Sequence, residues 1–151
     1  MCLHAHHCPR RSAAQAPAED YFDLMCQRLA GEGGLIAESA LRQRWRQHGR
    51  PRQALDELLA AGRLCSIPWR TERWLPAFQW DANDLTPRAD VAAIAQELAG
   101  GMDAVEILAW FVCRNAALDG ETPIARLRSG LPAVLPAVLA AARLDRFIGS
   151  A

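Results

Sequence analysis

The stretch Trp110 to Arg128, WFVCRNAALDGETPIARLR, constrains the fold of this 151-residue chain more than any other. It completes an apolar run from Ala104, in which Val105, Leu108, Ala109 and Val112 share one helical face and Ile107, Trp110 and Phe111 widen it. A helix apolar over so much of its circumference belongs at the centre of its domain or under a partner. The run stops at a polar loop, Asn115 to Thr122. A helix restarts at Pro123-Ile124, where proline suits a first helical turn. Nothing in the stretch offers catalytic chemistry, so it reads as a helical surface that a partner grips.

Helical periodicity surrounds it. Val91, Ile94, Ala95 and Leu98 form one apolar face after Pro87, Gly100-Gly101 ends that helix, and Asp103 caps the next. A last helix is expected from Pro132 to about Arg146, with Pro136 near enough to its first turn to be tolerated. Near the N-terminus, Phe22, Met25, Cys26 and Leu29 line one face of a helix that opens on Ala18-Glu19-Asp20 and stops at Gly31, Gly33 and Gly34.

The segment Leu35 to Trp80 has a different rhythm. A helix over Ser39 to Arg46 meets the break Gly49-Arg50-Pro51. A second helix, Gln53 to Ala61, turns Leu55, Leu58 and Leu59 inward and closes at Gly62. Strand-prone runs follow at Leu64 to Pro68 and Arg73 to Phe78, with Trp69 to Glu72 between them. Helix, glycine turn, helix and hairpin is the order of a winged helix-turn-helix. The expected fold is therefore mainly α: a tail over 1–18, a helix plus winged helix-turn-helix-like module with a small β-hairpin over 19–81, a linker over 82–87, and a small helical domain over 88–151.

Formal net charge is zero, so any affinity for nucleic acid must be local. Between Leu35 and Leu75 eight arginines face four acidic residues, a positive excess. Arg44, Arg50, Arg52 and Gln53 stand around the start of the second helix, and Arg70 and Arg73 at the wing tip. These six are the candidate DNA contacts. An interaction module with the same fold, or a merely solvated arginine face, fits the same residues. Trp45 is also bulkier than a close crossing of two helices favours. Trp69, Trp74, Phe78 and Trp80 read as the core that fastens the hairpin rather than as a stacking platform for single-stranded bases.

Enzymatic chemistry finds no foothold. His48 is the only histidine outside the tail, Asp119-Gly120-Glu121 reads as a turn, and no catalytic residue, metal site or cofactor is assigned. Cys2, His4, His6, His7 and Cys8 crowd the tail but lack the second ligand pair of a structural zinc site. The five scattered cysteines are odd in number and unlike a disulfide framework, and no apolar run reaches the roughly 20 residues of a membrane span. The start lacks a signal-peptide core. The expected location is the cytoplasm, with no membrane partner.

From Trp110 to Phe147 the sequence resembles the toxin-binding domain of the Xre/MbcA/ParS antitoxin family. The matching residues are Trp110, Phe111, Asn115, Leu118, Gly120, Pro123, Ile124, Leu127 and Gly130, followed by the helix with Val134, Val138, Ala141 and Ala142. The phrase Leu75 to Asp81 is similar to relatives in which a helix-turn-helix and hairpin lead into this domain, which extends the resemblance to Leu35–Phe147. It implies a non-enzymatic antitoxin that neutralises a RES-domain, NAD-degrading toxin and represses its own operon by binding operator DNA. By that resemblance Trp110, Asn115, Leu118, Arg143, Arg146 and Phe147 are the expected partner-binding residues, the last three approaching the toxin's cleft. The alternative is an orphan interaction module or homodimer that binds no DNA.

Overall fold

A computed structural model describes residues 19–61 and 64–149. The expected tail, its Cys/His group, Gly62 and Arg63 lie outside the described residues. In chain order the elements are α1 (Glu19–Leu29), β1 (Leu35–Ala37), α2 (Glu38–Gln47), α3 (Arg52–Ala60), β2 (Ile67–Trp69), β3 (Glu72–Pro76), α4 (Ala89–Leu98), α5 (Ala104–Val112), α6 (Pro123–Arg128) and α7 (Val134–Gly149). The described chain is thus mainly helical, with a three-stranded antiparallel sheet in the order β1-β3-β2.

The strands differ from the expected hairpin in three ways. β1 joins the sheet through Leu35↔Pro76, Ile36↔Leu75 and Ala37↔Trp74. Three residues are too few to display a period of two, which hides such a strand in the sequence. Trp69 pairs with Glu72, so the connection shrinks to Arg70-Thr71, with Arg70 at φ 56°. The second run is shorter than expected because Ala77–Gln79 leaves the sheet as a single 3-10 turn.

The sheet separates two cores. Leu75 joins Leu41, Trp45, Leu55, Leu64, Trp80 and Leu85 in a small one beneath α2 and α3. Its neighbour Trp74 points the other way, as strand alternation requires, and packs on a large core built from α1, β2 and α4 to α7. Phe22 stacks on Trp69 at 4.0 Å with an interplanar angle of 4°, and meets Trp74 edge-on at 5.3 Å. The hairpin aromatics are therefore spent on fastening α1 to the sheet. Gln79 is buried and works as a surrogate strand: the Cys65 N–H donates to its Oε1 at 2.9 Å, and its Nε2 donates to the Cys65 carbonyl at 3.0 Å.

Residues 82–87 form a hydrogen-bonded turn. The Asn83 N–H donates to Asp81 Oδ1 at 2.8 Å, the Asp81 N–H to the Thr86 carbonyl at 2.7 Å, and Leu85 enters the small core. The large core continues across this turn. Phe78 meets Phe111 at 5.2 Å, and Arg28 Nη1 donates to the Val112 carbonyl at 3.1 Å. All of Ile107 to Val112 is buried, so the apolar girth of α5 is explained by its central position. α7 begins at Val134, two residues after Pro132, which leaves Pro136 in the first turn, where a missing N–H costs no helix bond.

Candidate functional site

α5 is anchored at its start by a capping box: Asp103 Oδ1 accepts from the Val105 and Glu106 N–H groups, and Glu106 Oε2 accepts from the Asp103 N–H. Its far end is tied to α7 by one carboxylate. Trp110 Nε1 donates to Asp145 Oδ2 at 2.6 Å, and Asn115 Nδ2 donates to the same oxygen at 2.8 Å. Asn115 also shapes the loop, accepting from the Ala117 N–H through its side chain and from the Leu118 and Gly120 N–H groups through its carbonyl. Asp119 and Gly120 turn in the left-handed region, at φ 58° and 78°, and Arg126 holds Asp119 at 2.6 Å. Leu118 is buried beneath this turn. The loop is thereby a rigid bracket that sets the angle between α5, α6 and α7.

Three of the six expected partner-binding residues thus serve the inside of the molecule. Trp110 and Leu118 are buried, and Asn115 is half-buried and bonded to Asp145. The other three lie on α7. Arg143 and Arg146 converge on Glu97 of α4, at 3.5 and 2.9 Å, and pin the last turns of α7 to α4. A Cβ at Gly100 would come within 3.1 Å of the Arg146 side chain, so this glycine makes room for the clamp. Phe147 faces outward and is 72% exposed.

Phe147 does not stand alone. Leu144 and Ile148 are 53% and 61% exposed, and together the three occupy one stripe at i, i+3 and i+4. Ala137 and Ala140 extend the same exposed stripe toward the helix start, and Leu131 is exposed just before it. Val138, Ala141 and Ala142 are buried on the opposite side, over α4 and α6. α7 is therefore apolar on two faces, only one of which the chain itself covers. Sequence reasoning credited the covered face and missed Leu144 and Ile148, although the spacing 137, 140, 144, 147, 148 was a readable second stripe.

The arginine face is more self-satisfied than a count of charges suggests. Arg50 is half-buried, its guanidinium 4.9 Å above the Trp45 ring. Arg70 lies 4.1 Å above Trp69 and 3.4 Å from Glu19. Arg52 is 3.9 Å from Asp56, and Gln53 donates to Glu57 at 3.1 Å. Of the five expected arginines, only Arg44 and Arg73 are exposed with no ion pair among the described residues. α3 also carries the exposed carboxylates Asp56 and Glu57. Asp56 is offset by Arg42, which bridges it at 2.7 Å to Glu38 at 2.8 Å.

Groups with catalytic potential are dispersed or engaged. His48 is exposed with Nδ1 2.8 Å from the Arg44 carbonyl oxygen. Burial pushes the Cys65 thiol up to about 12, away from thiolate chemistry at neutral pH. Glu72 is held below the usual carboxylate range by Ser39, through its side chain first and then through its N–H, which donates to Glu72 at 2.7 Å and so helps start α2. Among the described residues no group of three or more His, Cys, Asp or Glu is gathered to hold a metal, and no helix is long and apolar enough to cross a membrane. Comparison of the chain with known protein families, with curated proteins and with solved structures finds no match in any of the three.

Proposed function

We propose that this chain is a non-enzymatic, antitoxin-like regulatory protein whose last helix docks into a RES-domain toxin. The observation that carries the reading is the stripe Leu144, Phe147 and Ile148, three large apolar side chains left in solvent at the end of a well-anchored helix. A contiguous exposed apolar patch on a rigid element marks an interaction site, and aromatic anchors commonly dominate binding energy. The clamp of Arg143 and Arg146 on Glu97 fixes the stripe before binding, which lowers the entropy lost on docking. The resemblance of Trp110–Phe147 to the toxin-binding domain supplies the identity of the partner.

The proposal includes a DNA-contacting module at the other end. The order α1, β1, α2, α3, β2, β3 supports a winged helix-turn-helix, with Arg70 and Arg73 on the wing and Arg44 and Arg52 beside α3. Contacts from these side chains fall on phosphates, because Asp56 and Glu57 occupy the outer face of α3.

Co-purification with a RES-domain protein tests the main claim. The wild-type chain is expected to hold it, and Phe147→Asp to lose it at least 100-fold, since a charge in a desolvated pocket costs several kcal/mol. Equal retention of both proteins, or no retention of either, overturns the reading. Retention on duplex DNA should fall with salt, and Arg44→Ala with Arg73→Ala should reduce the log–log slope by about 1–2.

A second reading places another copy of the chain on the stripe, which Ala137 and Ala140 favour by permitting close helix approach. A sedimentation shift to a dimer that Phe147→Asp abolishes, without any RES-type partner, selects it.

A further inference from the structure

We propose that the cavity between α2 and α3 binds a small oxyanion, a carboxylate or phosphate monoester carried on a flat apolar body. This inference is independent of the toxin reading and shares only Arg52 with the DNA reading, and its small-molecule test involves no nucleic acid. The cavity measures about 330 Å³ and is lined by Ser39, Arg42, Trp45, Arg46, Arg52 and Leu55. That volume lies at the small end of the range in which ligands are held, about 300–1,000 Å³. Trp45 and Leu55 lie at its base, 2% and 0% exposed, beneath the exposed Ser39, Arg46 and Arg52, so carbon is reached only once the polar rim side chains part.

The charge of the rim selects the ligand. Among the described residues that line it, none is acidic. The nearest carboxylates, Glu38 and Asp56, are both drawn to Arg42 at 2.8 and 2.7 Å. Arg46 has no ion pair among the described residues, and the Arg52 guanidinium, 83% exposed, stands 3.9 Å from Asp56. Two guanidiniums with little acidic competition can form the forked hydrogen bonds that carboxylate and phosphate accept. Two further cavities lack this bias. One is lined by Glu38 and Glu72 against Arg42 and Arg73, the other by Asp103 against Arg73.

The floor is fixed before a ligand arrives. Trp45 Nε1 donates to the Pro51 carbonyl at 2.9 Å, Arg50 lies over the ring at 4.9 Å, and Trp80 meets it edge-on at 6.0 Å. Arg42, bonded to acids on both helices, sets the spacing of α2 and α3. A flat apolar body that parts the two rim arginines therefore meets Trp45 and Leu55 already in place, and the arginines are the groups that lose freedom.

The test is a titration of the full chain followed by backbone and indole amide NMR shifts. The probes are benzoate and phenyl phosphate, with benzyl alcohol and benzylamine as neutral and cationic controls. Both anions should saturate with Kd on the order of 1–10 mM, as expected of ligands this small. The shifts should be confined to Ser39–Leu55 and the Trp45 indole. Arg46→Gln with Arg52→Gln should weaken binding at least tenfold with unchanged thermal unfolding, because both side chains are exposed. Arg46→Lys with Arg52→Lys should restore part of it. Benzyl alcohol binding as well as benzoate, failure of both anions to saturate by tens of millimolar, or wild-type affinity in the double glutamine variant each overturns the proposal.

Discussion

The small core joins residues close in sequence, Leu41 to Leu85, whereas the large core gathers side chains from Tyr21 to Ala142. Their surfaces differ in the same sense. Over the small core, several charged groups outside are already engaged, Arg42 with Glu38 and Asp56 and Arg50 over the buried Trp45, while Arg44 and Arg46 have no ion pair among the described residues. Over the large core, α7 carries more apolar surface than the chain can cover, and Leu144, Phe147 and Ile148 are left outside. An arginine count therefore overstates what the first region offers a partner, and an unremarked helix end understates what the second offers. What matters is which groups remain unspent after the chain has folded.

The largest expected effect comes from the large core. Phe111 is fully buried and touches both Phe78 and Trp110, so Phe111→Ala should cost about 3–5 kcal/mol in denaturant unfolding. Leu55→Ala strikes the small core and should cost less, toward the lower end of about 2–5 kcal/mol, because the adjoining cavity lets neighbours relax. Both substitutions should move one common transition, since Phe78, Cys65 and Ile67 share the large core with α4 to α7. Two separate transitions, one for each variant, would show that the two cores melt independently.

That coupling also marks where reading the sequence stops. α4 was fully legible: Val91, Ile94, Ala95 and Leu98 repeat with helical period, and all four are buried. So was the aromatic role of Trp69 and Trp74, because several rings beside short strands have few other places to go. The joining of α1 to α5 was not legible, as amphipathicity reveals that a face is buried and not against what. Asp145 escaped for a related reason. Its partners Trp110 and Asn115 are 35 and 30 residues away, and a lone Asp in a helix looks like surface. Arg50 looked like a DNA contact until its ring partner, five residues earlier, came into view. The turn over 82–87 was readable as a break in the chain, but its buried Leu85 and its internal hydrogen bonds depend on tertiary placement.

Asp145 gives an intermediate test of how the large core positions its surface. Asp145→Ala removes the acceptor for two donors and should cost about 1–2 kcal/mol, less than a fully buried charged hydrogen bond because water can reach the half-exposed site. It should also weaken partner binding beyond the stability loss, because α7 loses its tie to the loop. If stability falls while affinity for the partner is untouched, the bracket is structural only.

A smaller effect belongs to the small core's surface and depends on pH. Glu72 has its folded pKa depressed by the Ser39 side chain and then by the Ser39 N–H, so its contribution is present above the unfolded carboxylate pKa and fades as pH falls through the lower folded value. Glu72→Gln should therefore narrow the stability difference between neutral and acidic solution. An unchanged pH profile would mean that other carboxylates dominate acid unfolding.

The smallest stability change is expected where the functional change is greatest. Phe147 is 72% exposed and touches the chain chiefly through the Arg146 guanidinium, 5.9 Å from its ring. Phe147→Ser should leave unfolding within about 0.5 kcal/mol of wild type, as surface substitutions usually do. A side chain selected for folding would not sit so far out, and one tolerated by accident would have no bearing on association. The decisive measurement pairs a denaturation curve with a binding or sedimentation experiment on the same variant. Lost association at constant stability assigns the stripe to a partner. Lost stability assigns it to the fold, and erases the contrast between the two regions.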